Sequence, residues 1–304
     1  MEYQIITEGL EFPEGPVMMD DGSIIVVEIY AGRITRVQRD GRRETVAMPG
    51  GGPNGAAIGP DGALYVCNNG GFTWGRMGEL LIPGGAASDY ETGRIERIDL
   101  STGKVERLYA ACDGHRLSGP NDIVFDAYGG FWFTDLGKHF AHHTDHGGLY
   151  YATPDGRHIR CAVHGPNMNG VSLSPDGKTI YTALSFIGDI LAFDITAPGE
   201  VAPSPLAALP GRVVARYPAR VLLDSMAVLA GGRIAQATLI AQPGIGVADP
   251  ATGAIEQFEF PDLLTTNIAF GGADMRDAAI CLSTTGKLAL CRWPEPGLRL
   301  AFNA

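Results

Sequence analysis

The stretch that decides the fold is NGVSLSPDGKTIYTA, from Asn169 to Ala183. An amide residue opens it, a short apolar strand follows, and the residues PDG at 175–177 are typical of a tight turn. The second strand, at 179–183, is rich in the β-branched and aromatic residues that favour sheets. The stretch therefore predicts a β-hairpin that begins at a polar side chain.

The same order of features occurs six times along the chain. Each segment has an acidic or amide residue, an apolar strand, a turn reading DDG, PDG, YGG, PDG, AGG or GGAD, and a second strand. The first residues of the six segments are Glu14, Asn54, Asn121, Asn169, Asp224 and Asn267. They lie 40 to 67 positions apart, with a mean near 51, which suits blades of four strands joined by variable loops.

The repeat predicts an all-β fold, a six-bladed β-propeller, with residues 1–304 forming one domain. Further strand pairs lie between the segments, for example 93–100 and 105–108 around a Ser-Thr-Gly-Lys turn. No stretch of about twelve residues shows the 3.6-residue period of an amphipathic helix. We expect the C-terminal strands at 287–290 and 298–302 to share a blade with the N-terminal strand at 3–7.

Composition excludes several classes of protein. The formal net charge is −11 and no run of five basic residues occurs, so nucleic acid is not an expected partner. No run of 18 apolar residues occurs, so no membrane span is expected. The five cysteines are odd in number and contain no CxxC pair, and the N-terminus has no signal-peptide pattern. These features predict reduced thiols in a cytoplasmic protein; the sequence leaves the oligomeric state open.

The six first residues predict a site at the propeller axis. If each segment starts at the same structural point, these side chains form a ring at one height of the central channel, which we call the channel ring. Two are carboxylates and four are amides, which together offer the oxygen ligands and the charge that a hard divalent cation such as calcium needs. Closely paired cysteines of the kind found in zinc sites are absent from the sequence, and the histidines at 139, 142, 143 and 146 lie in a Gly-flanked loop where we expect them to be solvated.

Two long loops interrupt the repeat, at 68–92 and 137–148. Long loops in compact folds are often functional, and we expect both to cover the channel mouth and to contact substrate. The candidates for substrate contact are Asn54, Trp74, Arg76, Tyr90, His142 and His143.

Five short motifs resemble those of one family. They are EGPV at 14–17, GPND at 119–122, NMNG at 167–170, DSMAV at 224–228 and TTNIAFGG at 265–272. Their order and spacing resemble the regucalcin (senescence marker protein)/gluconolactonase/luciferin-regenerating-enzyme-like family over about residues 10–290.

The resemblance implies a propeller with one divalent metal in the central channel. It implies that Glu14, Asn169 and Asp224 ligate the metal, and that Asn121 contacts substrate or completes the coordination. Asp224 would also be the catalytic general base. Calcium is the first expectation for the metal; zinc, magnesium, manganese and ferrous iron are alternatives.

The function predicted in this way is metal-dependent opening of a small lactone by activated water. Alternatives are phosphotriester hydrolysis or lactone isomerisation on the same metal scaffold, or a non-catalytic calcium-binding propeller. Two positions differ from the family pattern. Sugar lactonases of the family often carry Arg two residues before the amide of the GPND-type motif, where this chain has Gly119, and Ser225 replaces a usual Gly after Asp224. The first difference leaves a sugar lactone as substrate in question.

Overall fold

A computed structural model describes residues 1–204 and 210–302. Within these ranges the strands form six antiparallel sheets of at least four strands, together with three two-stranded hairpins. No helix that could cross a membrane is present in either range. The predicted all-β, six-bladed architecture is confirmed.

Each of the six sheets forms one blade, whose strands follow one another from the axis outward. Blade 1 comprises Pro13–Met18, Ile24–Glu28, Arg33–Val37 and Arg43–Ala47; blade 2 comprises Pro53–Ile58, Leu64–Asn68, Arg94–Ile98 and Val105–Tyr109; blade 3 comprises Pro120–Phe125, Phe131–Asp135, Gly147–Ala152 and Ile159–Gly165. Blade 4 comprises Met168–Leu173, Thr179–Leu184, Asp189–Ala197 and Arg212–Arg216, with Glu200–Val201 beside the third strand; blade 5 comprises Val221–Val228, Ile234–Ile240, Gly244–Ala248 and Ile255–Glu259; blade 6 comprises Thr265–Gly271, Asp277–Leu282, Lys287–Arg292 and Gln4–Thr7.

The predicted turns lie where each innermost strand meets the second strand of its blade. In every blade the second strand begins six positions after the inner strand ends, as from Met18 to Ile24 and from Leu173 to Thr179. The fourth residue after each inner strand has positive φ; it is a glycine in five blades and Met275, at φ 57, in blade 6. Glycine is favoured because a side chain crowds the backbone in this conformation.

A β-bulge lies at or beside the channel-ring residue in each inner strand. The register of the inner strand against the second strand shifts at Glu14/Val17, Pro53/Ala56, Pro120/Ile123, Met168/Val171, Leu223/Met226 and Thr265/Asn267. A bulge bends the strand and re-aims its side chains. The six polar side chains therefore stand at irregular points of strands that are otherwise regularly paired.

Glycine follows the ring residue in three blades because the next inner strand passes too close for a side chain. A Cβ atom on Gly15 would lie 2.3 Å from the backbone oxygen of Asn54, and one on Gly170 would lie 2.6 Å from that of Asp224. Gly55 is confined in the same way. These Glu-Gly and Asn-Gly pairs are therefore strand residues of a narrow channel and not turn residues.

The apolar core is divided into six clusters, and each fills the space between neighbouring blades. One cluster joins blades 6 and 1 through residues such as Val26 and Cys281, and another joins blades 3 and 4 through Trp132 and Ile180. Burial between faces of adjacent sheets is the main stabilising contribution in such a fold.

The expected closure of the propeller by the N- and C-terminal strands is confirmed for one C-terminal strand and wrong for the other. Gln4–Thr7 pairs antiparallel with Lys287–Arg292 and so completes blade 6. Residues 298–302 form no strand; only Gly297 makes a bridge, to Leu229, and the Phe302 ring then packs against Phe125 of blade 3 at 5.8 Å. Residues 298–302 cross the end of the channel where the inner strands end, because Phe125 and its neighbours offer an apolar surface there.

The two long loops contain short strands that the sequence analysis did not predict. The first contains the hairpin Phe72–Met77 and Leu80–Ala86, and the second contains Lys138–His139 paired with Thr144–Asp145. A third short hairpin pairs Ala111–Cys112 with His115–Arg116.

The close approach of inner strands gives a testable prediction for Gly170. We expect Gly170→Ala to lower the free energy of unfolding by about 1–3 kcal/mol, since the new methyl group would overlap the Asp224 carbonyl oxygen. Gly231→Ala is the matched control, because nothing lies within 4 Å of a Cβ built there. Urea unfolding followed by circular dichroism measures both. Equal stability of the two variants would contradict the packing argument.

Candidate functional site

The structure brings the predicted channel ring together at the end of the channel where the inner strands begin. Glu14, Asn54, Asn121, Asn169 and Asn267 are buried, and Asp224 keeps an intermediate exposure. Their burial follows from the bulged inner strands, which turn these side chains into a narrow channel.

Hydrogen bonds satisfy only part of this ring. Glu14 Oε2 accepts from the Asn267 side-chain amide at 2.7 Å and from the Gly15 backbone N–H at 2.5 Å. The Asn169 side-chain amide donates to Asp224. Three buried side-chain oxygens of the ring have no hydrogen-bond partner: Glu14 Oε1, Asn121 Oδ1 and Asn169 Oδ1. A buried oxygen without a partner costs free energy, so these atoms fit a ligand that accepts their lone pairs.

Three carboxyl groups share the channel. Burial raises the pKa of Glu14, and burial together with the negative charge of Glu14 raises that of Asp224 well above its usual value. Burial and the Glu14 charge also raise the pKa of Asp122 to about 7. Mutual repulsion in a desolvated channel disfavours three negative charges unless positive charge compensates for them.

Asp122 is a residue that the sequence reasoning missed. It follows Asn121 at the position where three other blades have glycine, and it is buried. Its Oδ1 accepts from the Ile123 N–H at 3.0 Å and its Oδ2 from the Val171 N–H at 3.4 Å. The signal was present in the repeat, because a carboxylate in place of a recurring glycine marks a different local role.

Side chains at the ends of second strands brace the neighbouring inner strands. The Ser185 hydroxyl donates to the Leu223 carbonyl at 2.5 Å, and the Ser283 hydroxyl donates to the Pro13 carbonyl at 2.6 Å. The Thr134 hydroxyl donates to the backbone carbonyl of Asn169. These bonds fix the backbone at or beside ring residues from the blade next to them.

The ring fits a hard cation better than a soft one. Within the described ranges, no group of three or more His, Cys, Asp or Glu side chains is arranged to hold a metal. The four predicted ligands are two carboxylates and two amides, and all of their candidate donor atoms are oxygens. Oxygen donors of this kind suit calcium or magnesium.

The hairpin of the first long loop reaches from blade 2 to blade 6. Its Leu81 N–H donates to the Thr284 carbonyl at 3.2 Å. Trp74 is half-buried and packs edge-on against Phe12 and Tyr30, at ring distances of 5.1 and 5.3 Å. Trp74 therefore anchors the hairpin on the top of blade 1, the end where the inner strands begin.

The other predicted substrate contacts lie farther out. Arg76, His142 and His143 are exposed, and the His143 ring stacks on Phe140 at 4.5 Å. Tyr90 is half-buried and its hydroxyl donates to the Ser118 carbonyl at 2.7 Å. The structure thus places these four side chains on the two long loops at 68–92 and 137–148, which we call the mouth loops, and does not bring them into the channel ring. Their contact with substrate stays a prediction.

Lys138 is a second residue that the sequence did not single out. It is 1% exposed, and its ammonium group donates to the Asn69 backbone carbonyl at 2.8 Å. The same Nζ lies 4.0 Å from the Phe72 ring centre and 5.1 Å from that of Tyr90. Burial lowers the pKa of Lys138 to about 7. The side chain joins the bases of the two mouth loops.

Gly119 occupies a position that leaves no room for a side chain. A Cβ atom there would lie 2.3 Å from the Gly137 backbone oxygen, while the Gly119 N–H donates to Asp135 Oδ1 at 2.7 Å. The base of the second mouth loop therefore fills the space beside Asn121 with main chain.

Comparison with known proteins gives one family. The family described as SMP-30/Gluconolactonase/LRE-like region matches residues 12–284. The chain is 29% identical over 181 residues to Lactonase drp35 of Staphylococcus haemolyticus, covering 59% of this chain and 49% of that one. It is 24% identical over 205 residues to Gluconolactonase of Zymomonas mobilis, covering 60% and 51%. The chain spans about half the length of the curated relatives that it matches.

Solved structures share the fold. A gluconolactonase from Xanthomonas campestris superposes with a TM-score of 0.74 at 21% identity, covering 96% of this chain and 89% of that one. Regucalcin from Agrobacterium tumefaciens, described as a calcium-binding protein, superposes with a TM-score of 0.69 at 16% identity, covering 98% of both chains. At these identities the likeness shows the six-bladed architecture.

The buried ammonium of Lys138 gives a prediction about pH. Its folded pKa of about 7 lies below the usual 10.5, so the unfolded chain binds more protons between these values. The Lys138 contribution to stability therefore rises with pH across that window, by at most about 1.4 kcal/mol per pH unit. We expect the free energy of unfolding of Lys138→Met, relative to the unsubstituted chain, to fall from pH 7 to pH 10.

Chemical denaturation at several pH values measures this difference. Lys104→Met is the control, because Lys104 is exposed and should show no such trend. Parallel curves for Lys138→Met and the unsubstituted chain would contradict the lowered pKa.

Proposed function

The chain belongs to the SMP-30/gluconolactonase/LRE-like family, and from this membership we propose that it is a metal-dependent hydrolase that opens small lactones. The observation that carries the proposal is the set of three buried oxygens without partners, Glu14 Oε1, Asn121 Oδ1 and Asn169 Oδ1, beside the Asp224 carboxyl group. The names of its relatives, lactonase and gluconolactonase, support the reaction class.

One divalent cation is the proposed ligand of this set, held by Glu14, Asn121, Asn169 and Asp224. Calcium is the first choice because carboxylate and amide oxygens are its preferred ligands, and the two ligating carboxylates match its charge. A cation would also relieve the repulsion among the three channel carboxyl groups. When bound, it supplies Lewis acidity that polarises a lactone carbonyl and stabilises the negative charge developing on the oxygen.

The residues of the chain would then act on the substrate and on water. Asp224 is partly accessible from the channel and would orient the attacking water and accept its proton at the carboxylate. Asn121 would position the lactone through its side-chain amide. The braced backbone on either side keeps these groups in place, since Ser185 holds the strand that carries Asp224.

The reaction balances without a further reactant. The water oxygen bonds to the carbonyl carbon, and the bond between that carbon and the ring oxygen breaks. The proton taken up by Asp224 passes to the leaving alkoxide. The product is a hydroxy acid, which releases one proton to solution at neutral pH.

Proton release is therefore the first test of the proposal. We expect hydrolysis of at least one member of a panel of sugar, alkyl and aromatic lactones, followed with a pH indicator. Treatment with a chelator should abolish it, and adding back single metals, with calcium first, should restore it. Metal binding by the chelated protein, measured by calorimetry, gives a readout independent of turnover.

Asp224→Asn tests the role of the carboxylate. We expect kcat to fall by at least about a hundredfold, the range for loss of a general base, while the circular dichroism spectrum is unchanged. Metal affinity should also fall, because a charged ligand is lost. Asp20→Asn is the matched control, since Asp20 is an exposed carboxylate on the turn of blade 1.

Other outcomes favour other functions. Full activity of Asp224→Asn would remove that residue from the mechanism. Tight metal binding without hydrolysis of any lactone would favour phosphotriester hydrolysis, lactone isomerisation or a non-catalytic calcium-binding role. Lactone hydrolysis that survives complete removal of metal would contradict the proposed metal dependence.

A further inference from the structure

Exposed apolar side chains concentrate at the end of the propeller where the inner strands begin. Six of the eleven large hydrophobic residues that are exposed in the described ranges lie there: Tyr30, Met48, Met77, Phe186, Ile187 and Ile240. This end carries the channel ring. The proposed reaction centre and these exposed apolar residues therefore lie at the same end of the propeller.

Two of these residues belong to the connection after the second strand of blade 4, whose first residue is hydrogen-bonded to two inner strands. Phe186 and Ile187 are 48% and 57% exposed and follow Ser185, which is buried. The Ser185 N–H donates to the Asn167 carbonyl at 2.9 Å, and the Leu223 N–H donates to the Ser185 carbonyl at 3.1 Å. Asn167 and Leu223 lie two residues and one residue before Asn169 and Asp224.

This anchoring makes Phe186 and Ile187 a fixed feature of the entrance. Three hydrogen bonds, including the hydroxyl bond of Ser185 to Leu223 at 2.5 Å, hold the start of the connection between two ring strands. Apolar side chains held in water cost free energy unless a ligand covers them. Phe186 and Ile187 follow a residue that is hydrogen-bonded to the strands carrying Asn169 and Asp224, the proposed metal ligands. This position points to a small molecule bound at the channel ring as the ligand that covers them.

A second aromatic ring adjoins Phe186. The centre of the His139 ring lies 5.6 Å from that of the Phe186 ring, so the two rings are in contact and join blades 3 and 4. The hairpin of the first long loop lies beside His139, since a Cβ atom on Gly85 would be 3.0 Å from the His139 carbonyl oxygen. The wall beside Asn121 offers main chain at Gly119.

We infer that the surface formed by the paired His139 and Phe186 rings together with Ile187 is a subsite for an apolar arm of the substrate, so that the preferred lactones carry an alkyl substituent instead of several hydroxyl groups. This inference rests on the proposed lactonase function and deepens it. The lactone ring would sit at the channel ring, and the arm would extend outward over Phe186 and Ile187.

The test compares δ-valerolactone, which has no arm, with δ-decanolactone, which has a five-carbon arm, and with gluconolactone. Each methylene removed from water contributes about fourfold when fully buried, so we expect kcat/KM for the alkyl lactone to exceed that of the parent by at least about tenfold. In the double variant Phe186→Ser/Ile187→Ser this preference, the ratio of the two kcat/KM values, should fall at least about tenfold.

Met48→Ser/Met77→Ser is the matched control, because it removes two exposed apolar side chains from the same end of the propeller but away from blades 3 and 4. It should keep the preference for the alkyl lactone. Light scattering reports whether either double variant changes the mass of the protein in solution. A change in mass without a change in chain-length preference would assign the patch to contact between copies and overturn the inference.

The outcomes separate this inference from the function on which it rests. Hydrolysis of δ-valerolactone without any preference for the longer arm, or with gluconolactone as the best substrate, would overturn the subsite and leave the lactonase function intact. Failure to hydrolyse any of these three lactones or any member of the wider lactone panel, with metal bound, would overturn both.

Discussion

The close approach of neighbouring inner strands is the constraint on which the site depends. At Gly15, Gly55 and Gly170 the backbone oxygen of the next blade takes the place of a side chain. A channel this narrow brings six ring side chains from distant parts of the chain to one height. It also keeps them from bulk water, which leaves carboxylate and amide oxygens without partners. Packing of backbone against backbone thus leaves buried ring oxygens without hydrogen-bond partners, and a bound ligand would satisfy them.

The same packing explains how the ring is held. Bulges at the ring residues interrupt the regular ladder, and an interrupted ladder needs other hydrogen bonds. Hydroxyl groups at the ends of second strands supply several of them, as Ser185 does for Leu223 and Ser283 for Pro13. Each of these blades therefore supports the one next to it. Rigid placement of this kind is what a site for polarising a substrate requires, because its groups need no rearrangement during the reaction.

The end of the channel above the ring has a different character. Its two long loops are hairpins joined by Lys138, a buried ammonium group held by the Asn69 carbonyl and by the rings of Phe72 and Tyr90. Burying an ammonium group costs free energy, so this contact is a costly way of fixing two loops. Phe186 and Ile187, beside the second of these loops, leave hydrophobic surface in water. Both features lower the stability of the folded chain, and both lie around the channel entrance. Functional sites often contain such destabilising features.

The sequence alone determined the blades and the ring. Strand-forming residues and Gly-containing turns act locally, so the repeat from Glu14 to Asn267 predicted both the six units and the side chains that share a height. Tertiary structure decided what depends on distant neighbours: the bulges, the burial of Asp122 and Lys138, the reach of Leu81 to blade 6 and the path of residues 298–302. The ligand roles of the ring stay predictions. The physical reason for the division is range, since a turn is set by the residues within it, whereas the environment of a buried charge is set by chain segments tens of residues away.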